Sequence, residues 1–427
     1  MNDTITKLCD HIRKEPDPMA IDKFSTLYKI SMILISGDQV INVSAGDIVS
    51  IAIICNYDTM THPVIRVRLY PDISVVRTVA SDPSKLSIRC NLDGGIYRMN
   101  SDDKNPVLVS PAKGFSFKLK AYMESKNIPA SNMDNYIDGT KKSSDLNTDI
   151  KVPLELYCYN ETLMHDLKRR VDSIYTNMSV QSVVENIFSR NGITNCSIDT
   201  FHNQEKWKQV LIPNLNISDS IQFLESNYGL YKKGAQFFCD VDHPYLCNSD
   251  VNNSIVPIPI YVESSKNNDS TNGMQKLHGD YYMTTMAQNV SVLSETDIER
   301  VMNAKTAVAV NVKDLSVEST TMSTLFGSDN TDNDIPTPNI LHKTANKYIT
   351  STYNARVSEK TTSVDISGSG FDISKLKINT RYNLVFASPI RGANIGHYYR
   401  ATFACHVLSN MDGELFIASS SFNLRSN

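Results

Sequence analysis

The stretch Ile65-Arg66-Val67-Arg68-Leu69 alternates apolar and basic residues without interruption. Successive side chains of a β-strand point to opposite faces of a sheet, so this pattern predicts a strand with one buried and one solvated face. Phe115-Ser116-Phe117-Lys118-Leu119-Lys120-Ala121 repeats the alternation. Apolar runs at residues 27–35, 48–54 and 86–92 predict further strands, and Asp93-Gly94-Gly95 predicts a hairpin turn. Residues 24–125 are therefore predicted to form an antiparallel β-domain.

Strand signals return after residue 250. Tyr399, Ala401, Phe403, Cys405 and Val407 occupy alternate positions, and Asp412-Gly413 then predicts the turn of a hairpin that returns through residues 415–418. Val308, Val310 and Val312 alternate in the same way, whereas Ser294 followed by Asp297 predicts a capped helix at residues 295–302. Polar stretches at residues 264–272 and 327–339 predict loops. Residues 251–427 are thus expected to form a second β-domain with long loops and a short helix.

The middle of the chain changes period. A strand is predicted at residues 152–159. After it, a helix is predicted with Ser179 as its N-cap and Asn191-Gly192 as its end. Its apolar stripe has helical spacing and consists of Val180, Val183, Val184, Ile187 and Phe188. A second helix is predicted from Ser218, as N-cap, to Gly229. A hairpin is predicted to follow, with Leu230-Tyr231 and residues 236–240 as its strands. Residues 151–250 are expected to be an α+β domain, residues 126–150 a linker or loop, and residues 1–23 an N-terminal arm.

Composition places the chain among ordinary globular proteins. It has 427 residues, 41% hydrophobic residues and a formal net charge of −4, so no overall positive charge attracts nucleic acid or anionic lipid. No apolar run approaches the roughly 18 residues that a membrane span needs, and residues 1–23 lack the apolar centre of a secretory signal. Synthesis in a cytoplasm without membrane insertion is expected.

The eight cysteines include no Cys-x-x-Cys pair and several interrupt apolar runs, so buried free thiols are predicted. The densest group of possible metal ligands is Cys239, His243 and Cys247. Structural zinc sites usually have four ligands, and Asp242-His243-Pro244 is typical of a turn, so a strand end followed by a turn is the favoured interpretation. No metal or other cofactor is predicted.

The sequence contains none of the common signatures for nucleophilic serine, phosphate-loop or zinc-protease chemistry, which argues against an enzyme. No catalytic or cofactor-binding residue is assigned. Trp207, the single tryptophan, is expected in the core, with an interface position as the alternative. Lys168-Arg169-Arg170 is expected to be a solvated helix face. Arg391 is expected in an exposed loop, where it could also contact a partner.

Several segments resemble the hub proteins of contractile phage tails, which are related to the hub part of type VI secretion spikes. The segments that carry the resemblance are Trp207, Val210-Leu211-Ile212-Pro213, Asn216-Ile217-Ser218-Asp219-Ser220-Ile221-Gln222-Phe223-Leu224, Tyr228-Gly229-Leu230-Tyr231-Lys232-Lys233-Gly234-Ala235-Gln236-Phe237-Phe238, Ile174-Tyr175, Ser179-Val180, Val183-Val184 and Ser294-Glu295-Thr296-Asp297-Ile298. The resemblance implies an α+β, mostly β fold. Two tube-like antiparallel β-barrel domains, residues 24–125 and 251–427, would flank the smaller α+β domain.

The resemblance also implies a structural protein of the virion baseplate, made in the host cytoplasm. Its subunits would form a homotrimeric ring that joins the sixfold tail tube to the threefold central spike. Implied partners are further copies of the chain, the tail tube protein, the central spike protein and the baseplate wedge proteins, with DNA passing through the lumen only transiently. Two alternatives remain open: the hub portion of a secretion-system spike, and a tail protein that binds or hydrolyses cell wall.

Such a ring would pair strands between subunits, because pairing removes exposed strand edges. The candidate interface segments are the two alternating stretches, residues 65–69 and 115–121. Their basic residues would face either a lumen or a neighbouring subunit; these are Arg66, Arg68, Lys118 and Lys120.

Overall fold

The computed structural model of the protein describes residues 23–57, 63–99, 106–123, 151–193, 195–231, 234–239, 243–248, 257–263, 273–277, 280–292, 307–311, 317–320, 339–343, 362–374, 376, 381–386 and 398–426. The predicted linker at residues 126–150, the predicted loop at 264–272 and the predicted helix at 295–302 lie outside the described residues. The predicted loop at 327–339 also lies outside them, except for Asn339, which is the first residue of a strand. All but the last residue of the predicted arm at 1–23 lies outside them as well.

The described part of the chain is mostly β. Its strands are β1 (Lys23–Ser36), β2 (Gln39–Val43), β3 (Ile48–Asn56), β4 (Val64–Leu69), β5 (Leu86–Met99), β6 (Val107–Pro111), β7 (Phe115–Met123), β8 (Leu154–Tyr159), β9 (Arg170–Ser179), β10 (Ser197–Ile198), β11 (Lys206–Asn216), β12 (Ala235–Cys239), β13 (Pro244–Asn248), β14 (Ile258–Glu263), β15 (Gly273–Leu277), β16 (Asp280–Val292), β17 (Ala307–Asn311), β18 (Val317–Thr320), β19 (Asn339–Lys343), β20 (Thr362–Ser369), β21 (Tyr382–Phe386), β22 (Tyr398–Asn410) and β23 (Leu415–Ser426). Its α-helices are α1 (Ile73–Ser81), α2 (Glu161–Lys168), α3 (Val180–Arg190) and α4 (Ile217–Tyr228), and short 3-10 helices span Ala45–Asp47 and Pro83–Lys85.

Eight strands form a closed ring of backbone pairings, which we call the first ring. Around it the order is β1, β5, β7, β8, β4, β3, β22 and β23, and β23 pairs again with β1. In β4, Ile65, Val67 and Leu69 are buried, while the two arginines between them are on the opposite face. The alternation in the sequence therefore divides the ring into an apolar interior and a polar outer face.

A second ring shares two strands with the first. It runs β23, β20, β16, β14, β21 and β22, and the β22–β23 pairing closes it. The hairpin predicted around Asp412-Gly413 is thus confirmed as the wall common to both rings. The prediction of purely antiparallel pairing was wrong here, because β14 is parallel to both β16 and β21. Parallel neighbours need a crossover connection instead of a tight turn, so local turn signals do not reveal them.

The predicted hairpin at Asp93-Gly94-Gly95 was also wrong, because β5 continues through all three residues. Gly94 and Gly95 pair with Tyr28 and Leu27 of β1. A Cβ on Gly95 would lie 2.6 Å from Cδ1 of Leu108 in β6. The glycine here permits a close approach between neighbouring strands, which is its other common use within a sheet.

One continuous apolar core fills both rings. The segment after β20 is also joined to β1 by a hydrogen bond, in which the backbone N–H of Ile373 donates to the buried hydroxyl of Tyr28 over 3.0 Å. The first ring takes strands from all three predicted regions: β8 comes from the 151–250 range, and β22 and β23 come from the 251–427 range. Strands from different predicted regions are therefore direct neighbours in one sheet.

The α+β unit has its own core between the β9–β11 ribbon and helices α3 and α4. The predicted stripe of α3 is buried, and Ser179 caps the helix by accepting a hydrogen bond from the N–H of Ser182 over 3.2 Å. The predicted cap of α4 was wrong by two residues. Asn216 accepts from the N–H of Asp219 over 2.8 Å, because an asparagine oxygen fills this position as well as a serine hydroxyl.

The hairpin predicted after α4 also has a different partner. The strand β12 pairs with β13, and Tyr231 belongs instead to the buried core of the unit. Its hydroxyl donates to the backbone oxygen of Asp199 over 2.8 Å. The segment Leu230-Tyr231 is therefore held in the core of the α+β unit by the buried ring and the hydrogen bond of Tyr231, and it is not a strand of the predicted hairpin.

Candidate functional site

The outer face of β4 and β8 carries a compact group of charged and aromatic side chains. Arg68 and Glu155 are opposite each other across the two strands, and Nε of Arg68 donates to Oε1 of Glu155 over 3.4 Å. Nε of Arg66 contacts the same carboxylate oxygen, and its guanidinium lies 5.5 Å from the ring centre of Tyr157. The carboxylate thus orients two arginines that remain partly solvated, as in many protein interfaces.

Aromatic and basic residues continue this face onto β7. Tyr122 is 43% exposed and stacks on Tyr159 with ring centres 5.1 Å apart. Burial, followed by the hydrogen bond to Tyr122, raises the pKa of Tyr159 above its usual value, so the phenol of Tyr159 stays neutral at physiological pH. Lys118 is exposed directly opposite Arg89 of β5. We call the residues Arg66, Arg68, Lys118, Lys120, Tyr122, Glu155, Tyr157 and Tyr159 the wall face.

The two alternating segments differ in how their edges are paired. β4 pairs with β3 on one side and β8 on the other along residues 65–69. β7 pairs with β5 through residues 115–120, but with β8 only through residues 120–123. The expectation that residues 65–69 pair with a strand of another chain was therefore wrong, because both of their edges are already paired. For residues 115–119 the second edge has no strand partner among the described residues, so the expectation stays a prediction there. Both segments also offer their outward side chains to a partner.

Three surface features were missed in the sequence. The first two are exposed apolar residues: Val107, Leu108 and Val109 in β6, and Ile174 opposite Leu211 in the β9–β11 ribbon. The third is Glu155, which organises the wall-face arginines. Sequence alternation does not reveal the exposed apolar residues. A shift of one residue in strand register moves every side chain to the other face, so the sequence alone does not show which face of the sheet an apolar residue occupies.

Trp207 packs against the core of the α+β unit, as the favoured interpretation predicted, although it remains half-buried. Its ring contacts the edge of Tyr228, with ring centres 5.0 Å apart and planes at 84°. The indole Nε1 is buried and has no hydrogen-bond partner among the described residues. The packing of the Trp207 ring stabilises the fold, whereas its buried N–H, which lacks a hydrogen bond among the described residues, is a destabilising contribution.

The group Cys239, His243 and Cys247 lies where β12 meets β13. Cys239, the last residue of β12, pairs with Pro244, the first residue of β13. Asp242, the first residue of the predicted turn, lies outside the described residues. Nε2 of His243 lies 2.8 Å from the hydroxyl oxygen of Ser197. Among the residues that the structure describes, no three histidine, cysteine or acidic side chains are arranged to hold a metal ion.

The described cysteines are free thiols. Five are buried (Cys55, Cys90, Cys158, Cys239 and Cys247), two are partly buried (Cys196 and Cys405), and Cys9 lies outside the described residues. Burial raises the pKa of Cys90 to about 12, and burial with the neighbouring Cys239 and Cys247 raises that of Cys196 to about 12. Such thiols behave as small apolar side chains and are poor nucleophiles.

The remaining basic candidates serve local structure or lie outside the described residues. Lys168 ends α2, and the guanidinium groups of Arg169 and Arg170 donate to the backbone oxygens of Asn191 and Asn214. All three basic residues are exposed, as predicted, but only Lys168 is in a helix. Arg391 is outside the described residues. No helix in the described ranges is both long enough and apolar enough to cross a membrane.

Comparison with known proteins gives a family and a set of structural neighbours. A sequence model of the family described as "Bacteriophage PBS1 gene 109 protein" matches residues 19–408. A tail protein from Neisseria meningitidis MC58 is 10% identical, with a TM-score of 0.46 and coverage of 93% of this chain and 96% of that one. The 43 kDa tail protein of prophage MuSo2 from Shewanella oneidensis is 8% identical, with a TM-score of 0.44 and coverage of 92% and 97%.

A third neighbour comes from Escherichia coli and is a component of the type VI secretion system, described as structurally similar to the T4 bacteriophage tail proteins gp27 and gp5. It is 8% identical, with a TM-score of 0.38 and coverage of 93% of this chain and 76% of that one. A search of curated protein sequences found no match.

Proposed function

The chain belongs to the family of the bacteriophage PBS1 gene 109 protein, and from this membership we propose that it is a structural hub subunit in the baseplate of a contractile phage tail. Three copies would form a ring that joins the sixfold tail tube to the threefold central spike. The observation that carries the proposal is the pair of strand rings sharing β22 and β23. Three copies of a chain with two rings place six ring units around one axis, so a threefold assembly can present a sixfold surface.

The wall face supports an assembly role. It combines tyrosines and arginines, the residue types that most often carry binding energy in interfaces, and it lies on three neighbouring strands of the first ring whose backbones pair with one another. A rigid sheet holds these side chains at fixed positions, so little conformational freedom is lost on binding. In the assembled ring this face contacts either a neighbouring subunit or the lumen.

The partners in this proposal are further copies of the chain, the tail tube protein, the central spike protein and the baseplate wedge proteins. DNA passes through the lumen only transiently. With a net charge of −4, the chain has no overall attraction to a polyanion, and this supports passage without retention. The protein would be made in the host cytoplasm and end in the virion, without insertion into a membrane.

The proposed role is not enzymatic. In the described part of the chain, the displaced pKa values of cysteines and tyrosines are all raised, chiefly by burial. An activated thiol or phenol nucleophile needs the opposite shift, because the deprotonated form is the reactive one. These groups are therefore suited to packing.

The first test is the mass of the full chain in solution, measured by analytical ultracentrifugation, together with electron microscopy of the same sample. We expect a trimer that forms a ring. A protein that stays monomeric over the accessible concentration range, alone and with purified tail tube and spike proteins, would contradict the hub role. Cell-wall hydrolysis on a zymogram would favour a lytic tail protein instead.

The second test addresses the wall face. Arg66→Glu and Lys118→Glu reverse charge on its two outer strands, and Arg190→Glu, at the exposed end of α3, is the matched control. Variant particles are assayed for assembly and for DNA release. The wall-face variants should impair one of these steps while the control behaves as wild type. Normal assembly and release in both wall-face variants would remove the wall face from the proposal.

A further inference from the structure

The strand β6 exposes three consecutive apolar side chains. Val107 is 53% exposed, Leu108 57% and Val109 41%. Within the described residues β6 pairs only with β5, so its outer edge has unused N–H and C=O groups there. Proteins normally cover or charge such an edge because it promotes the addition of another chain.

The β9–β11 ribbon exposes a second apolar surface in a different part of the chain. Ile174 and Leu211 are directly opposite each other and are 59% and 51% exposed. The neighbouring outward pair, Thr176 and Gln209, is polar and exposed. The inner face of the same ribbon is fully used, because its residues pack on α3 and α4. The ribbon thus has a small apolar centre within a polar surface.

A ring of identical subunits needs two different, mutually complementary surfaces on each subunit, since the contact is head-to-tail. The described part of the chain exposes two apolar strand surfaces of this kind, one on β6 beside the first ring and one in the α+β unit. We propose that β6 of one copy packs against the outer face of the β9–β11 ribbon of the next copy. This inference rests on the proposed trimeric hub and names the residues of its subunit contact.

Charge complementarity favours a second copy as the occupant. Arg98 of β5 is exposed directly opposite Val107 of β6, and on the other side of β5 its guanidinium lies 5.8 Å from the ring centre of Phe24 in β1. Asp172 is exposed two residues before Ile174 and shares its face of the ribbon. Opposite charges beside the two apolar surfaces fix the register of the contact and disfavour packing of like surfaces.

The first experiment places a charge within each surface. Val109→Glu and Leu211→Glu are compared with Val40→Glu, because Val40 is 64% exposed on β2, outside the proposed contact. Analytical ultracentrifugation of the full chain gives the dissociation constant of the trimer. Each contact variant should raise it by roughly 100-fold, the effect of an unpaired charge in a desolvated contact, while the control keeps the wild-type value.

The second experiment reverses the charged pair. Arg98→Asp and Asp172→Arg should each weaken the trimer, because each places like charges together at the contact. The double variant restores opposite signs and should recover most of the lost affinity. Circular dichroism of every variant verifies that the fold is retained, so that a loss of affinity is not a loss of structure.

The outcomes separate the two proposals. Two results would overturn this contact and leave the hub role in place. The first is a trimer of wild-type affinity in both Val109→Glu and Leu211→Glu. The second is a double variant Arg98→Asp with Asp172→Arg whose affinity loss is the sum of the two single losses, with no recovery. A wild-type chain that never forms a trimer would overturn the hub role itself, and the contact with it.

Discussion

His406 makes a pH-dependent contribution to stability that can be predicted in sign and size. It lies in β22, between Ile53 of β3 and Ser420 of β23, in the wall shared by the two rings. Its side chain is 5% exposed, and Nδ1 lies 2.9 Å from the hydroxyl oxygen of Ser420. Burial lowers the pKa of His406 from 6.5 to about 4, because the charged imidazolium would lose its hydration.

The sign follows from proton uptake. Below pH 6.5 the unfolded chain protonates this histidine, whereas the folded chain does not until about pH 4. The contribution is therefore fully present above pH 6.5 and is lost as the pH falls to about 4. A separation of about 2.5 between the two pKa values corresponds to about 3 kcal/mol of unfolding free energy.

The measurement is urea unfolding followed by far-ultraviolet circular dichroism, which reports the β-sheet, over the range from about pH 7 to about pH 4. His406→Asn keeps a polar group near the position of Nδ1 but cannot be protonated. Because carboxylates also titrate in this range, the informative quantity is the stability difference between wild type and variant. That difference should shift by about 3 kcal/mol in favour of the variant on acidification.

Leu408→Ala is the matched control, because Leu408 is fully buried two residues further along the same strand. It should lower the free energy of unfolding by about 2–5 kcal/mol at every pH, since it leaves a cavity and removes no titrating group. If the stability difference between wild type and His406→Asn is the same at both ends of the pH range, the buried neutral histidine is not the origin of the effect.

Three further predictions concern packing and capping, each measured by urea unfolding. Gly368→Ala places a Cβ 2.4 Å from a fully buried phenylalanine ring and should lower the free energy of unfolding by about 1–3 kcal/mol, whereas Gly46→Ala meets nothing closer than 3.8 Å and should have little effect; equal stabilities for the two variants would contradict the packing argument. Asn216→Ala removes the cap of α4 and should cost about 1 kcal/mol, while Ser218→Ala should be neutral; the reverse order would restore the cap predicted from the sequence. Trp207→Phe keeps the ring contact and removes a buried unsatisfied donor, so it should change the free energy of unfolding by less than about 1 kcal/mol. Trp207→Ala loses the ring contact and should lower the free energy of unfolding by about 2–3 kcal/mol. A large loss in the phenylalanine variant would mean that the indole N–H has a partner.

The candidate surfaces were only partly accessible from the sequence. The basic side chains of residues 65–69 and 115–121 were identified as outward-facing because alternation specifies which residues share a face. Their relation to Glu155 and Tyr157 could not be identified, because β8 is separated from β4 in the sequence by five other elements. The exposed pair of Ile174 and Leu211 had no sequence signature, since apolar residues in a strand normally indicate burial.

The sequence by itself determined the local elements. Alternation specified β4 and β7, and the helical stripe with its serine cap specified α3, because these patterns depend on side chains only a few residues apart. The tertiary structure alone decided how the elements join. Whether Asp93-Gly94-Gly95 turns or continues depended on the pairing of β5 with β1, and the closure of the rings depended on β22 and β23 meeting strands from the first hundred residues. Such pairings form when strands distant in the chain bury a common apolar face, and no local pattern records which strands those are.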